Sequence, residues 1–204
     1  MIALEHVGMA FGGRRVLDDV CFTFEPGEPY VLQAPSGAGK STVLNIAAGY
    51  VTPTSGRVLA GGPVEYLMQD ELLFSELTVG QNLRARSLGL RPGRAGARDS
   101  QVSVHDALAR LGLAGREDDR VSFMSGGERR RVELAGTLLS DPRVLLLDEP
   151  VAHLDPDSAR DVYDALWSLR AGRTIVVVTH ERDLSTIRGG FRRLTIKNAR
   201  FEEP

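Results

Sequence analysis

Nine consecutive residues, Ala34-Pro35-Ser36-Gly37-Ala38-Gly39-Lys40-Ser41-Thr42, combine small side chains, one lysine and neighbouring hydroxyls between a β-type run and a helical one. Binding a polyphosphate takes several backbone N–H donors aimed at one point, and a small-residue loop running into a helix N-terminus supplies them. Gly37 and Gly39 let the backbone approach closely. Lys40 places a compact ammonium on the β- and γ-phosphates, and the Ser41 hydroxyl can join a Mg2+ shell. The general pattern has glycine where this chain has Ala34, an exchange that a negative φ at that residue accommodates. Alone, the loop implies a nucleoside triphosphate and leaves the function open.

A second constellation is Arg143-Val-Leu-Leu-Leu-Asp148-Glu149-Pro150. Four apolar residues predict a buried strand, and two carboxylates leave its end, where α/β sheets place their ligands. Asp148 is the candidate Mg2+ ligand. Glu149, one residue on and aimed differently, suits polarising a water.

These groups need a scaffold, and the flanking patterns describe one. Strands are predicted at Ile2-Val7, Val16-Phe24, Tyr30-Gln33, Val58-Ala60 and Val64-Met68, with a helix over Ser41-Ala48. From Leu77 to Leu113 the pattern is helical, split by Gly89-Ser100, which reads as an exposed basic loop. Gly127-Leu139 is a predicted helix feeding the strand Arg143-Leu147. Pro156-Arg170, capped by Asp155, is a second and leads to the strand Thr174-Thr179. Strands alternating with helices predict a P-loop α/β core with a parallel sheet, an N-terminal antiparallel β-subdomain and an inserted helical subdomain. The single domain 1–204 divides into a core of 1–69 and 126–204 and a helical part of 70–125 ending at the next motif.

That motif, Met124-Ser125-Gly126-Gly127-Glu128, resembles the signature of ATP-binding cassette (ABC) ATPases, and it lies one helix upstream of Asp148-Glu149 as in that family. In bare chemistry, Ser125 and two glycines at a helix start form another anion-binding end. The resemblance covers nearly the whole chain. It implies that Phe11 stacks on adenine with Val16 nearby, that Gln69 reaches Mg2+ and the attacking water, and that His180 contacts the γ-phosphate. It places Asp155 in the D-loop beside His153, where a small residue is more usual. It implies an ATP- and Mg2+-dependent ATPase working as a head-to-tail homodimer, in which the partner's Ser125, Gly126, Gly127 and Glu128 close each site. It also implies separate transmembrane permease subunits and a peripheral place on the cytoplasmic side of the membrane. Leu72, Leu73 and Phe74 suit a permease-docking groove or, equally, packing within the helical subdomain. Glu128 and the Leu73-Val79 stretch resemble lipoprotein-release, efflux and haem- or peptide-export cassettes, which favours export. The alternative is a soluble ABC ATPase acting on the ribosome or DNA.

Composition agrees with that frame. In 204 residues, 25 basic side chains face 27 acidic ones, for a net charge of -2. That balance argues against a polyanion binder, so no nucleic-acid partner is expected. At 42% hydrophobic and 25% charged, the chain has a globular composition, with no long apolar run of the transmembrane kind. Cys21 is the single cysteine and excludes an internal disulfide. The histidines at 6, 105, 153 and 180 have no zinc-ligand spacing, so no structural metal is expected. Only Lys40 and Lys197 are lysines among those 25 cations. Lys40 is explained by a loop shaped for an ammonium, which a planar guanidinium does not fit.

Overall fold

The computed structural model describes residues 1–69, 72–87, 102–152, 154–180 and 184–203; the basic stretch 89–100 and His153 lie outside them. The central strands are the apolar ones. Pro29–Gln33 (β3), Val144–Asp148 (β6) and Thr174–Thr179 (β7) are buried at every residue, as strands covered on both faces must be. With Val64–Leu67 (β5), Arg192–Lys197 (β8) and Arg200–Glu202 (β9) they form a six-stranded sheet ordered β5-β6-β7-β3-β8-β9. Its pairings are parallel except for the β8–β9 hairpin. Ile2–Phe11 (β1), Arg14–Phe24 (β2) and Ser55–Ala60 (β4) form a separate antiparallel sheet, ordered β2-β1-β4.

Successive residues of a strand face opposite ways, and β6 shows the result. Leu145 and Leu147 join a core built with the helices Val79–Ser87 (α2), Val104–Ala109 (α3), Gly126–Leu138 (α4) and Pro156–Ser168 (α5). Val144 and Leu146 join a second core, shared with Lys40–Ala47 (α1) and the antiparallel sheet. Each fully buried Leu or Val contributes about 1.5–3 kcal/mol of transfer free energy. The sheet is thereby held rigid from both sides, and its C-terminal edge becomes a firm platform.

Register fixes what that edge carries. Gln33 pairs Thr179, Asp148 pairs Val178 and Leu67 pairs Leu147. The chain leaving β3 toward α1, the Asp148-Glu149 pair, Gln69 and His180 therefore emerge on one side of the sheet. The pattern predicts the mixed α/β scaffold, but β8 and β9 carry no comparable signal. Only Leu194 and Ile196 of β8 are buried, β9 has no buried residue, and both carry arginines, so no continuous apolar run marks them.

Candidate functional site

The loop after β3 closes on its own lysine. Lys40 is only 8% exposed, and its ammonium donates to the carbonyls of Ala34 (2.7 Å) and Pro35 (3.3 Å). Ala34 is not among the residues with left-handed backbone, so alanine fits the first position of the loop without strain. Gly39 is different: its φ is 102°, and a Cβ there would stand 2.6 Å from Val16 Cγ1. Only glycine satisfies both conditions, and its missing side chain leaves room for Val16 of β2 beside the loop. Phe11, at the end of β1, is 51% exposed.

Helix α1 begins at Lys40 with no side-chain cap on its N-terminus and no acidic residue in its first turn. The orphan amide donors of a helix start are therefore left for an external acceptor, with the macrodipole favouring an anion. Ser41 is exposed in that first turn. Across the sheet edge, Asp148 is buried, and among the described residues its carboxylate has one partner, the Tyr66 hydroxyl donating to Oδ2 at 3.2 Å. Oδ1 remains for a cation. Burial first, and then the Asp148 charge, push the Tyr66 phenol far above its usual range, so it stays a donor. Amides, an ammonium, a hydroxyl and a buried carboxylate are a donor set that fits a triphosphate with Mg2+.

Glu149 carries the sharpest local anomaly. It is a buried non-glycine residue with φ 48°. Such left-handed strain survives only where its surroundings enforce it. Its backbone N–H donates to Val178 O (2.9 Å), its Oε2 accepts from Thr179 Oγ1 (3.0 Å), and its Oε1 accepts from His180 Nδ1 (2.7 Å). The tautomer of His180 follows from that acceptor. Glu149 and His180 are thus brought into contact. Gln69, two residues beyond β5, is exposed, and among the described residues its side chain makes no hydrogen bond to either.

The signature residues lie elsewhere. Ser125 caps α4, its Oγ accepting from the Glu128 N–H (3.2 Å) while Glu128 Oε2 accepts from the Ser125 N–H (2.9 Å), a complete capping box. Arg116 donates to Glu128 Oε1 (2.8 Å). This bond first, and then the Ser125 amide, hold the Glu128 carboxyl below its ordinary 4.5. Gly127 packs against α5, where a Cβ would meet Ser158 Cβ at 2.9 Å. Asp155 caps α5 through the Asp157 and Ser158 amides. Among the described residues, no hydrogen bond or ion pair joins Ser125-Glu128 to the loop Ala34-Thr42.

Sequence reasoning missed Arg130, which is buried and donates to Pro150 O (2.9 Å), Met68 O (3.0 Å), Asp148 O (3.3 Å) and Glu133 Oε2 (2.7 Å). Glu133 Oε1 in turn accepts from Leu72 N (2.8 Å). These bonds connect α4 with the end of β6 and with the segment at Leu72. Tyr66 was missed as well. An apolar face at one-turn spacing gives no warning of a buried arginine; only the Arg130–Glu133 i,i+3 pair was a signal available in the sequence.

Comparison with known proteins places this geometry. Residues 17–152 match the sequence model of the ABC transporter family. The chain is 39% identical over 193 residues to the thiamine import ATP-binding protein ThiQ of Mesorhizobium japonicum, an alignment covering 88% of this chain and 74% of that protein. It is 34% identical over 195 residues to the Fe(3+) ions import ATP-binding protein FbpC of Rhizobium etli, covering 89% of this chain and 54% of that protein. The dimeric structure of MJ0796, a bacterial ABC transporter cassette, superposes with a TM-score of 0.77 at 26% identity, covering 100% of this chain and 98% of that one. The expected lean toward export finds no support here, since both relatives are import proteins.

Proposed function

The chain belongs to the ABC transporter ATP-binding proteins, and from that premise we propose that it hydrolyses ATP as a head-to-tail homodimer to power import through separate permease subunits. The observation that carries the catalytic part is Glu149, strained into place with both carboxylate oxygens engaged by Thr179 and His180. Lys40 and the open amides of α1 hold the phosphates, helped by Ser36, Gly37, Ala38 and Thr42, while Phe11 and Val16 flank the base. Ser41 and Asp148, with Gln69, would hold Mg2+, which supplies neutralising charge on the phosphate oxygens. Glu149 takes the proton of the attacking water, and His180 orients Glu149 and meets the γ-phosphate. Glu149→Gln is expected to retain ATP binding while turnover falls about 10²–10⁴-fold. A variant that hydrolyses ATP at the parental rate removes Glu149 from the role of base.

The dimer is supported by exposure at α4. Ser125 is exposed, and Phe123, two residues earlier, is 85% exposed. An aromatic so bare beside a half-open helix end is a surface for another molecule to cover, and the partner chain's nucleotide side is its proposed complement. Asp155 lies at the same end of α5, which fits its proposed D-loop place at that junction.

The permease contact is proposed for the groove lined by Leu72, Leu73, Phe74, Leu83, Val132 and Gly136. Residues 70–125 act in this reading as the lobe that receives it. From the groove, the Leu72–Glu133–Arg130–Asp148 bonds lead to the catalytic strand, a contiguous route for coupling. Among the described residues no helix is long and apolar enough to cross a membrane, which agrees with a peripheral place on the transporter. Thiamine is the substrate to test first, because the 39%-identical relative imports it. Uptake of labelled thiamine by cells carrying this chain should stop with Glu149→Gln. Unchanged uptake, or sedimentation of the chain with ribosomes, would displace the import reading.

A further inference from the structure

The antiparallel sheet holds a second cluster of chemically capable side chains, away from the edge that carries Lys40 and Glu149. It depends on two irregularities in the β1–β2 ladder. Leu4 pairs Phe22 and Val7 pairs Val20, so Glu5 and His6 together face Cys21; Val7 and Met9 then pair Val20 and Leu17, so Asp18 and Asp19 together face Gly8. These are bulges on opposite strands, one residue of the ladder apart. The bulged His6 (φ 53°) and Asp19 (φ 52°) both take left-handed backbone, uncommon for non-glycine residues, and bulges re-aim side chains.

The outcome is convergence. His6 Nδ1 lies 2.8 Å from Asp19 Oδ1, and the His6 backbone N–H donates to Cys21 Sγ at 3.3 Å. One ligand atom from each of His6, Asp19 and Cys21 falls within 4.8 Å of the others, and all three residues are exposed. No other such group of three occurs among the described residues. A tetrahedral ion with bonds of about 2.0–2.3 Å to N, O and S spaces its ligand atoms roughly 3.4–3.8 Å apart. The observed 2.8 Å between His6 and Asp19 and the 4.8 Å limit for the group bracket that spacing.

We propose that His6, Asp19 and Cys21 form a binding site for a zinc-class divalent cation, closed by water at the fourth position. One thiolate, one imidazole and one carboxylate are the ligands Zn2+ takes, whereas Mg2+ and Ca2+ call for oxygen alone. Binding displaces the thiol proton to solvent and involves no redox change. Histidine spacing along the chain gave no hint of it, because the ligands are assembled across a hairpin and only one is a histidine. The ion would rivet β1 to β2 where their ladder is interrupted, on the sheet whose far end carries Phe11 and Val16.

The single cysteine makes the test specific. Metal-free protein titrated with Co2+ should develop a near-ultraviolet thiolate-to-cobalt band saturating at one ion per chain and bleached by Zn2+. Zn2+ should also shield Cys21 from a thiol reagent and, at a hundredfold excess over its Kd, raise the melting temperature by about 5–10 °C, with Mg2+ giving neither effect. Cys21→Ser should abolish the band. His6→Asn and Asp19→Asn, both compatible with left-handed backbone, should weaken binding about tenfold or more while leaving basal ATP hydrolysis intact. No cobalt band, or one that His6→Asn and Asp19→Asn leave unchanged, overturns the site.

Discussion

Two helix N-termini in this molecule are built from similar small residues and end up in opposite conditions. α1 starts after Gly39 with no side-chain cap and no acid in its first turn. α4 starts at Ser125 with both arms of a capping box in place and Glu128 anchored by Arg116. The first end leaves its amides and its lysine for a phosphate. The second has spent two of its donors internally and added a carboxylate, keeping the Gly126 and Gly127 amides and the Ser125 hydroxyl proton. An anion would therefore bind α1 on its own merits, and in the proposed dimer α4 would serve as the second wall of a site anchored elsewhere.

Substitutions can sharpen or break that contrast. The largest stability effect is expected at Arg130, where truncation to alanine strands the buried Glu133 carboxylate and should cost about 3–5 kcal/mol, read by denaturant unfolding. A cost below about 1 kcal/mol would mean that α4 is not anchored to β6 through this pair. Lys40→Arg comes next. The guanidinium does not fit the carbonyl cage of Ala34 and Pro35, so ATP affinity should fall about 10²-fold or more with the melting temperature hardly changed. Ser125→Ala should lower stability by about 1 kcal/mol through the lost cap. It should leave equilibrium ATP binding to the monomer intact while cutting turnover about tenfold or more. Were monomer binding to fall as well, the two helix ends would be acting on one nucleotide within one chain.

The smallest effect belongs to Glu128→Gln, which keeps the reach of the capping box and removes its charge. The folded-state pKa of Glu128 is depressed below the ordinary 4.5. Its contribution is therefore fully present above that value and is lost as pH falls through the lower folded pKa. Parent and variant stabilities should converge on the acid side of pH 4.5 and separate above it. A gap that is constant with pH would place the effect outside this ionisation.

These contrasts also explain what the sequence could tell. The loop at 34–42, the apolar run of β6 and the Asp155 cap are local, and their chemistry is legible from neighbours in the chain. Tyr66 on Asp148, Thr179 on Glu149 and the bulge-assembled His6–Asp19–Cys21 group depend on strand register, which residue types do not encode position by position. Arg130 was hidden because a buried arginine breaks the usual reading of a polar helix face. In the sequence, Glu128 resembles export cassettes. In the structure it is the N3 residue of a capping box, a place that helps start α4 and that Glu or Gln can fill.

In the proposed dimer each ATP site joins α1 of one chain to α4 of another. Lys40→Ala should be nearly inactive alone, and Ser125→Ala should keep about a tenth of the parental turnover or less. Mixed in equal amounts, they form heterodimers in which one site pairs an intact Lys40 loop with an intact Ser125 helix. The account predicts that ATP hydrolysis returns on mixing, to roughly a quarter of the parental rate for random pairing of independent sites. A mixture as inactive as its two components would contradict it.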